Sequence, residues 1–203
     1  MKIAYFFEDF AHEEFIRGFV RRLARENEIQ IQLEDILATK SGNYRTKLVN
    51  FLRKWKKGQA EAYDVIIMVH DANCKGTNSI RKRYQKYFDR YNYSLPVVFA
   101  IPDPYIEYWY LLDSDAFIKA IEGDKYPKKL PYQCQKKTKR FYKTELAKAI
   151  MMNGIEPIRG GSEYGEKIAE NIDYKKVSEE KSIGFFIGSL EDAKNQFKMR
   201  MGI

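Results

Sequence analysis

Cysteine and histidine are scarce in this chain, with two of each among 203 residues. Cys74 and Cys134 alone give no framework for disulfides or zinc. No apolar run approaches the roughly 20 residues that a bilayer-spanning helix needs, so no membrane segment is expected. The N-terminus lacks a signal-peptide layout and runs straight into a strand-like KIAYFF, which makes the cytoplasm the expected location. One stretch lacks acidic residues altogether: Lys125 to Lys143 holds eight Lys or Arg and no Asp or Glu.

What is present fits one domain. The apolar share is 44%, enough for a sizeable core, and the aromatic share is 15%. The net charge of +8 makes nucleic acid a candidate partner, but where the charge sits matters more than its total.

Hydrophobic periodicity alternates between strand and helix four times. Strands are expected at Lys2–Phe7, Ile29–Leu37, Val65–Val69 and Pro96–Ile101, and helices at 11–27, 44–62, 79–91 and from Pro104 onward, with Asp103 as its N-cap. Three of the strands are continuously apolar, as in a parallel sheet covered on both faces; Ile29–Leu37 alternates like an edge strand. The fold class expected is therefore α/β: a doubly wound, mainly parallel four-stranded sheet with C-terminal helical additions. Residues 1–122 would form the core, 123–143 a basic loop or insertion, and 144–203 helices packed on the core, at 144–153, 162–171 and 182–199. A strand order 2-1-3-4 would place strands one and three side by side.

The stretch DVIIMVHDANCKG, Asp64 to Gly76, organises this reading. Its strand ends abruptly in His70, Asp71 and Asn73, and ligands of open α/β sheets bind beyond such carboxyl ends. Glu8, Asp71, Asn73, Asp103 and Glu107 all fall at or just after expected strand ends. Hard oxygen ligands gathered at one crevice suit Mg²⁺ or Mn²⁺, which polarise a phosphodiester and acidify a bound water. Asp and Asn also end strands and cap helices with no metal involved, and that alternative stays open here.

These residues resemble a pattern. A Glu ending the first strand (Glu8) and an Asp-x-Asp ending a later one (Asp71, with Asn73 in the second place) are similar to the Toprim domain of topoisomerases, primases and overcoming-lysogenization-defect nucleases. FEDFAHEEFI, HDANCKG, IPDPYIEYWYLLD and GGSEYGEKIAENID resemble small Toprim-like proteins of bacteria and archaea, some of them neighbours of defence genes. The resemblance covers most of the chain. It implies a Toprim/Rossmann-like fold and a metal-dependent nuclease, with a separate ATPase as a partner. Glu8 and Asp71 would hold metal, Glu8 doubling as general base, with Asn73, Asp103 and Glu107 as further ligands. Lys75 or Lys143 would steady the phosphate charge. An Asn in the second acidic place brings an amide oxygen but no negative charge, so a degenerate, non-catalytic domain is the first alternative. An enzyme acting on a small phosphorylated ligand is the second.

The basic stretch is the other signal. Lys128, Lys129, Lys136, Lys137, Lys139, Arg140 and Lys143 interleave with Tyr126, Tyr132, Phe141 and Tyr142. Cations bind phosphates and rings stack on unpaired bases of DNA or RNA; equally, the rings can pack back on the domain. Gly160-Gly161-Ser162 lacks the spacing and the lysine of a P-loop and reads as a turn and cap. His12 and His70 lie near the crevice as bases, ligands or supporting groups. Cys74 has no poised base, and Trp109 reads as core.

Overall fold

A strand without polar interruption must be covered on both faces, and here both faces are covered. A computed structural model describes residues 1–26, 30, 32–38, 44–61, 63–127, 132–134 and 138–202, with side chains excepted at 32–38, 44, 138 and 139. Strands β1 (Lys2–Phe7), β2 (Gln32–Ala38), β3 (Val65–Val69) and β4 (Val97–Ala100) alternate with helices α1 (Phe10–Glu26), α2 (Tyr44–Lys56) and α3 (Thr77–Arg90). The helices α4 (Ile106–Tyr110), α5 (Ser114–Ile121), α6 (Thr138–Met151), α7 (Gly165–Asn171), α8 (Tyr174–Val177) and α9 (Lys181–Met201) follow. The strands lie in the order β2-β1-β3-β4, and every pairing is parallel. Strands β1, β3 and β4 form the buried parallel centre, and β2 pairs along the outer side of β1. The protein is thus α/β with a Rossmann-like arrangement of helices around a parallel sheet.

The period of two along each strand sorts side chains between two layers. Ile3, Tyr5, Phe7, Val65, Ile67 and Val69 face α1 and the C-terminal helices. Ala4, Phe6, Ile66, Met68 and Phe99 face α2 and α3. The first layer is the larger, and the C-terminal helices belong to it. Trp109 is fully buried, with its rings near Phe15 and Phe186 and its Nε1–H donating to Ser182 Oγ at 2.8 Å. Truncating such a side chain costs roughly 3–5 kcal/mol. Helices α1 and α7 approach so closely that a Cβ at Gly18 would stand 2.3 Å from the Glu166 carbonyl oxygen, so only glycine fits.

Several boundaries differ from expectation, for local reasons. The helix expected from Pro104 begins at Ile106; Asp103 is no cap, and the Asp103–Pro104 peptide is cis. It also breaks at Asp113, whose carboxylate caps a separate helix, α5, through the N–H groups of Asp115 and Ala116. Helix α6 starts at Thr138, inside the expected loop, because Tyr142, Leu146, Ala149 and Ile150 form a buried helical stripe. Ser162 opens a single 3₁₀ turn and caps nothing. Glu163, inside that turn, folds its carboxylate back on the preceding loop and accepts the N–H groups of Ile158, Arg159 and Gly161. Cys74 and Cys134, expected to be unpaired, form a disulfide with Cα atoms 5.4 Å apart. Cys74 consequently carries no nucleophilic thiol. No helix among the described residues is long and apolar enough to cross a membrane.

Candidate metal centre

The parallel register of β1 and β3 pairs Phe6 with Met68, which brings the two strand ends together. Beyond them the Asp71 N–H donates to Glu8 Oε2 at 3.2 Å. Helix α1 leaves β1 at once, with Asp9 at its N-cap: the Asp9 carbonyl accepts from Glu13 N–H, and Asp9 Oδ1 accepts from His12 N–H at 3.3 Å. The first turn of α1 thereby swings His12 over the sheet edge. Its ring is fully buried, with Nδ1 2.7 Å from Asp9 Oδ1 and Nε2 3.0 Å from Asp71 Oδ1. Asp71 itself is 3% exposed, and Oδ1 also accepts the N–H of Ile106 at 2.9 Å.

One ligand atom each from Glu8, His12 and Asp71 lies within 4.8 Å of the others, so the three can hold a metal ion. The donor set fits one. A histidine fixed through Nδ1 by a carboxylate, with Nε2 facing two carboxylates, is the arrangement by which proteins orient a metal-binding imidazole. Burial alone would strip the His12 proton, but the Asp71 and Asp9 carboxylates outweigh it and hold the imidazole pKa well above its ordinary value. Asp9 responds oppositely: His12, and more distantly Lys143, hold its carboxyl well below the usual range against the effect of burial. Without a cation, the His12 proton therefore compensates the buried Asp71 charge. A cation binding here would displace that proton.

The other expected site residues divide. Asn73 sits in the left-handed region (φ 52°), its N–H on the Pro104 carbonyl at 3.0 Å and its Nδ2 on the Asp71 carbonyl at 3.0 Å. Its amide shapes the turn as a donor, which a carboxylate could not do. Glu107 is buried beside Lys143, at 3.5 Å. Burial first, then repulsion from Asp71, push its carboxyl pKa up, and Lys143 pulls it partly back. It lines a neighbouring cleft of about 220 Å³ with Asp9, Lys143 and Arg159, outside the three-ligand group. Asp103 also stands apart, in a separate cleft with Tyr108, Tyr132 and Ser182. Its buried Oδ1 has no hydrogen-bond partner among the described residues, and burial raises its pKa, while Tyr132 lowers it. Lys75 is exposed on the turn, with its N–H closed on the Ala72 carbonyl.

Of the basic stretch, Lys128, Lys129, Lys136 and Lys137 lie outside the described residues, as does the side chain of Lys139. Arg140 is exposed. The interleaved rings mostly face inward. Tyr142 is fully buried against Tyr105 and Tyr108, Tyr126 donates to the Leu111 carbonyl, and Phe141 packs at the core edge. Only Tyr132, 52% exposed, is open to an unpaired base.

Asp9 and Arg159 were not singled out by sequence, and His12 was named there only as one of two histidines near the crevice that could act as base or ligand. The usable signal was local: an N-cap Asp with a His three residues on, directly after a strand that ends in Glu. Comparison with protein-family models, with curated proteins and with solved structures gives no match.

Proposed function

We propose that the chain is a metal-dependent phosphodiesterase of nucleic acid, with Glu8, His12 and Asp71 as its metal ligands. The observation that carries this reading is a buried His and two carboxylates converging where parallel strands end. The mixed nitrogen and oxygen donors favour Mn²⁺ over Mg²⁺. When bound, such an ion neutralises charge on a phosphodiester and lowers the pKa of a bound water.

The chain's own residues supply the rest. Asp9 fixes the His12 ring through Nδ1, so Nε2 keeps one direction. The Ile106 N–H holds Asp71 Oδ1 in place. Lys143 and Arg159 line the adjacent cleft and offer positive charge to a phosphate there. Glu107, buried in that cleft with a raised pKa, is placed to exchange a proton with a group bound there.

A second reading, a non-catalytic binding module, is favoured by one observation: the His12 proton already balances Asp71, and Asn73 adds no charge. The test is cleavage of supercoiled plasmid, linear DNA and RNA with Mg²⁺, Mn²⁺ or EDTA, using wild type, Glu8→Gln and Asp71→Ala. Cleavage in Mn²⁺ that is lost in EDTA and in both variants is expected. Metal-dependent cleavage that survives in both variants would refute the site, and absence of cleavage in any metal would favour the binding module.

A further inference from the structure

Helices α2 and α3 cover the sheet face opposite α1, and their outer surfaces are strongly basic. Together YRTKLVNFLRKWK and TNSIRKRYQKYFDR carry ten Lys or Arg and a single acidic residue, Asp89. Between them runs an open groove of about 510 Å³ lined by Arg45, Lys82, Arg83, Lys86 and Arg90, with Tyr87 among them and, among the described residues, no acidic side chain. The Arg45 guanidinium lies over the Tyr87 ring at 5.4 Å. Among the described residues no salt bridge neutralises these five cations, while Asp89 accepts from Gln85 at 2.8 Å.

Lys82, Lys86 and Arg90 follow one another at helical spacing on one side of α3. That row extends about 12 Å at 1.5 Å per residue, the rise of roughly three to four nucleotides of one duplex strand. One wall of the groove, α3, starts near the candidate metal centre. Helix α3 begins at Thr77, just past the Asp71 turn. Tyr84, on its inner side, packs its ring 5.1 Å from His70.

We infer that the α2–α3 groove binds the sugar–phosphate backbone of a nucleic acid and leads it to the edge where Glu8 and Asp71 stand. Five cations in an open trough exceed what one small phosphate requires, and a concave trough suits a strand better than a flat lipid surface. The role as a substrate track rests on the phosphodiesterase reading. The binding itself does not.

The test measures binding of labelled 20-nucleotide single-stranded DNA, duplex DNA and RNA in EDTA across a salt series. Wild type is compared with Lys82→Ala/Lys86→Ala/Arg90→Ala and with Lys119→Ala/Lys148→Ala/Lys175→Ala, which removes equal charge away from the groove. The groove variant is expected to bind on the order of 10- to 100-fold more weakly near 0.15 M salt. Its slope of log K against log salt should be shallower by about 2 to 3, at roughly 0.7–0.9 per lost phosphate contact. The distant triple variant should follow wild type. Equal losses in both triple variants, or a groove variant that binds like wild type, would overturn the inference. So would a wild type that binds vesicles of anionic lipid but none of the three nucleic acids. Hydrolysis of bis(p-nitrophenyl) phosphate by wild type and Asp71→Ala in Mn²⁺ separates the two proposals. Asp71-dependent turnover without nucleic-acid binding refutes the groove alone. Groove-dependent binding without turnover or cleavage supports the groove and refutes the phosphodiesterase.

Discussion

The sharpest consequence of the geometry concerns His12. Its ring is fully buried and bridges Asp9 and Asp71, the latter 3% exposed. Replacing it by Ala leaves the Asp71 carboxylate buried with the Ile106 N–H but no counter-charge. Removing one member of a buried pair costs roughly 3–5 kcal/mol. For a chain of this size each kcal/mol moves Tm by about 2–4 °C, so His12→Ala in EDTA should melt roughly 6–20 °C below wild type. The pH dependence has a definite sign. The folded pKa of His12 lies above its unfolded value near 6.5, so its contribution is complete below about pH 6.5 and fades as pH rises through the folded pKa. Urea unfolding of both proteins in EDTA from pH 6 upward should show the wild-type advantage shrinking on the alkaline side. A loss under about 1 kcal/mol at pH 6, or an advantage that grows with pH, would refute the charged bridge. In wild type, Mn²⁺ should raise Tm more at pH 8 than at pH 6, because cation and proton compete for the same nitrogen.

Three other outcomes are expected. Asn73→Asp removes the donor to the Asp71 carbonyl and sets a negative oxygen against it, which should cost about 1–3 kcal/mol without metal; Mn²⁺ should recover part of that in thermal melts, and an unchanged melt in EDTA would contradict the role given to Nδ2. Reducing Cys74–Cys134 opens a link across 60 residues, worth up to about 4 kcal/mol on the loop-closure model, so dithiothreitol should lower the Tm of wild type and leave Cys74→Ser/Cys134→Ser unaffected. Asp113 caps α5, accepts the Asp173 N–H and pairs with Lys176, interactions that outweigh burial and lower its pKa. Asp113→Ala should therefore lose about 1–2 kcal/mol at pH 7, and because a depressed carboxyl stabilises only above its unfolded pKa near 3.9, the gap to wild type should close as pH falls below about 4, as read by urea titration at pH 7 and pH 3.

The sheet was legible because its centre obeys one rule. β1, β3 and β4 are short apolar runs between helices of period 3.6, and a strand buried on both faces leaves few other patterns. From that alone, β1 lies beside β3 and Glu8 reaches Asp71. Legibility ends where a boundary depends on a cap or a distant contact. Asp113 ends one helix and starts another only because Asp173 and Lys176 come back to meet it. The start of α6 depends on Tyr142 finding Tyr105 and Tyr108 across the chain. The disulfide was hidden for the same reason, since sequence gives the separation of two cysteines but not their approach. His12 was visible as a residue but not as a partner: its place depends on the turn between β1 and α1, set by the Asp9 cap.

Whether the acidic strand ends are chemistry or punctuation turns on burial. An Asp that merely ends a strand remains in water, where its charge costs nothing. Asp71 is instead enclosed, with the His12 ring and the Ile106 N–H as its partners. His12 is enclosed in turn and needs Asp9 to hold its orientation. Apolar residues of similar volume are often as stable as a buried ion pair or more so, which makes the His12–Asp71 pair a costly way merely to end a strand. Asn73 completes the contrast. It shows what a structural residue looks like at this edge: neutral, hydrogen-bonded to backbone and fixed in the left-handed region the turn demands. The same few residues thus hold one polar group that serves the fold and two buried ones, His12 and Asp71, that the fold must work to accommodate. A cation replacing the His12 proton would relieve that cost, which is why metal-dependent stabilisation and metal-dependent cleavage should be lost together in Asp71→Ala.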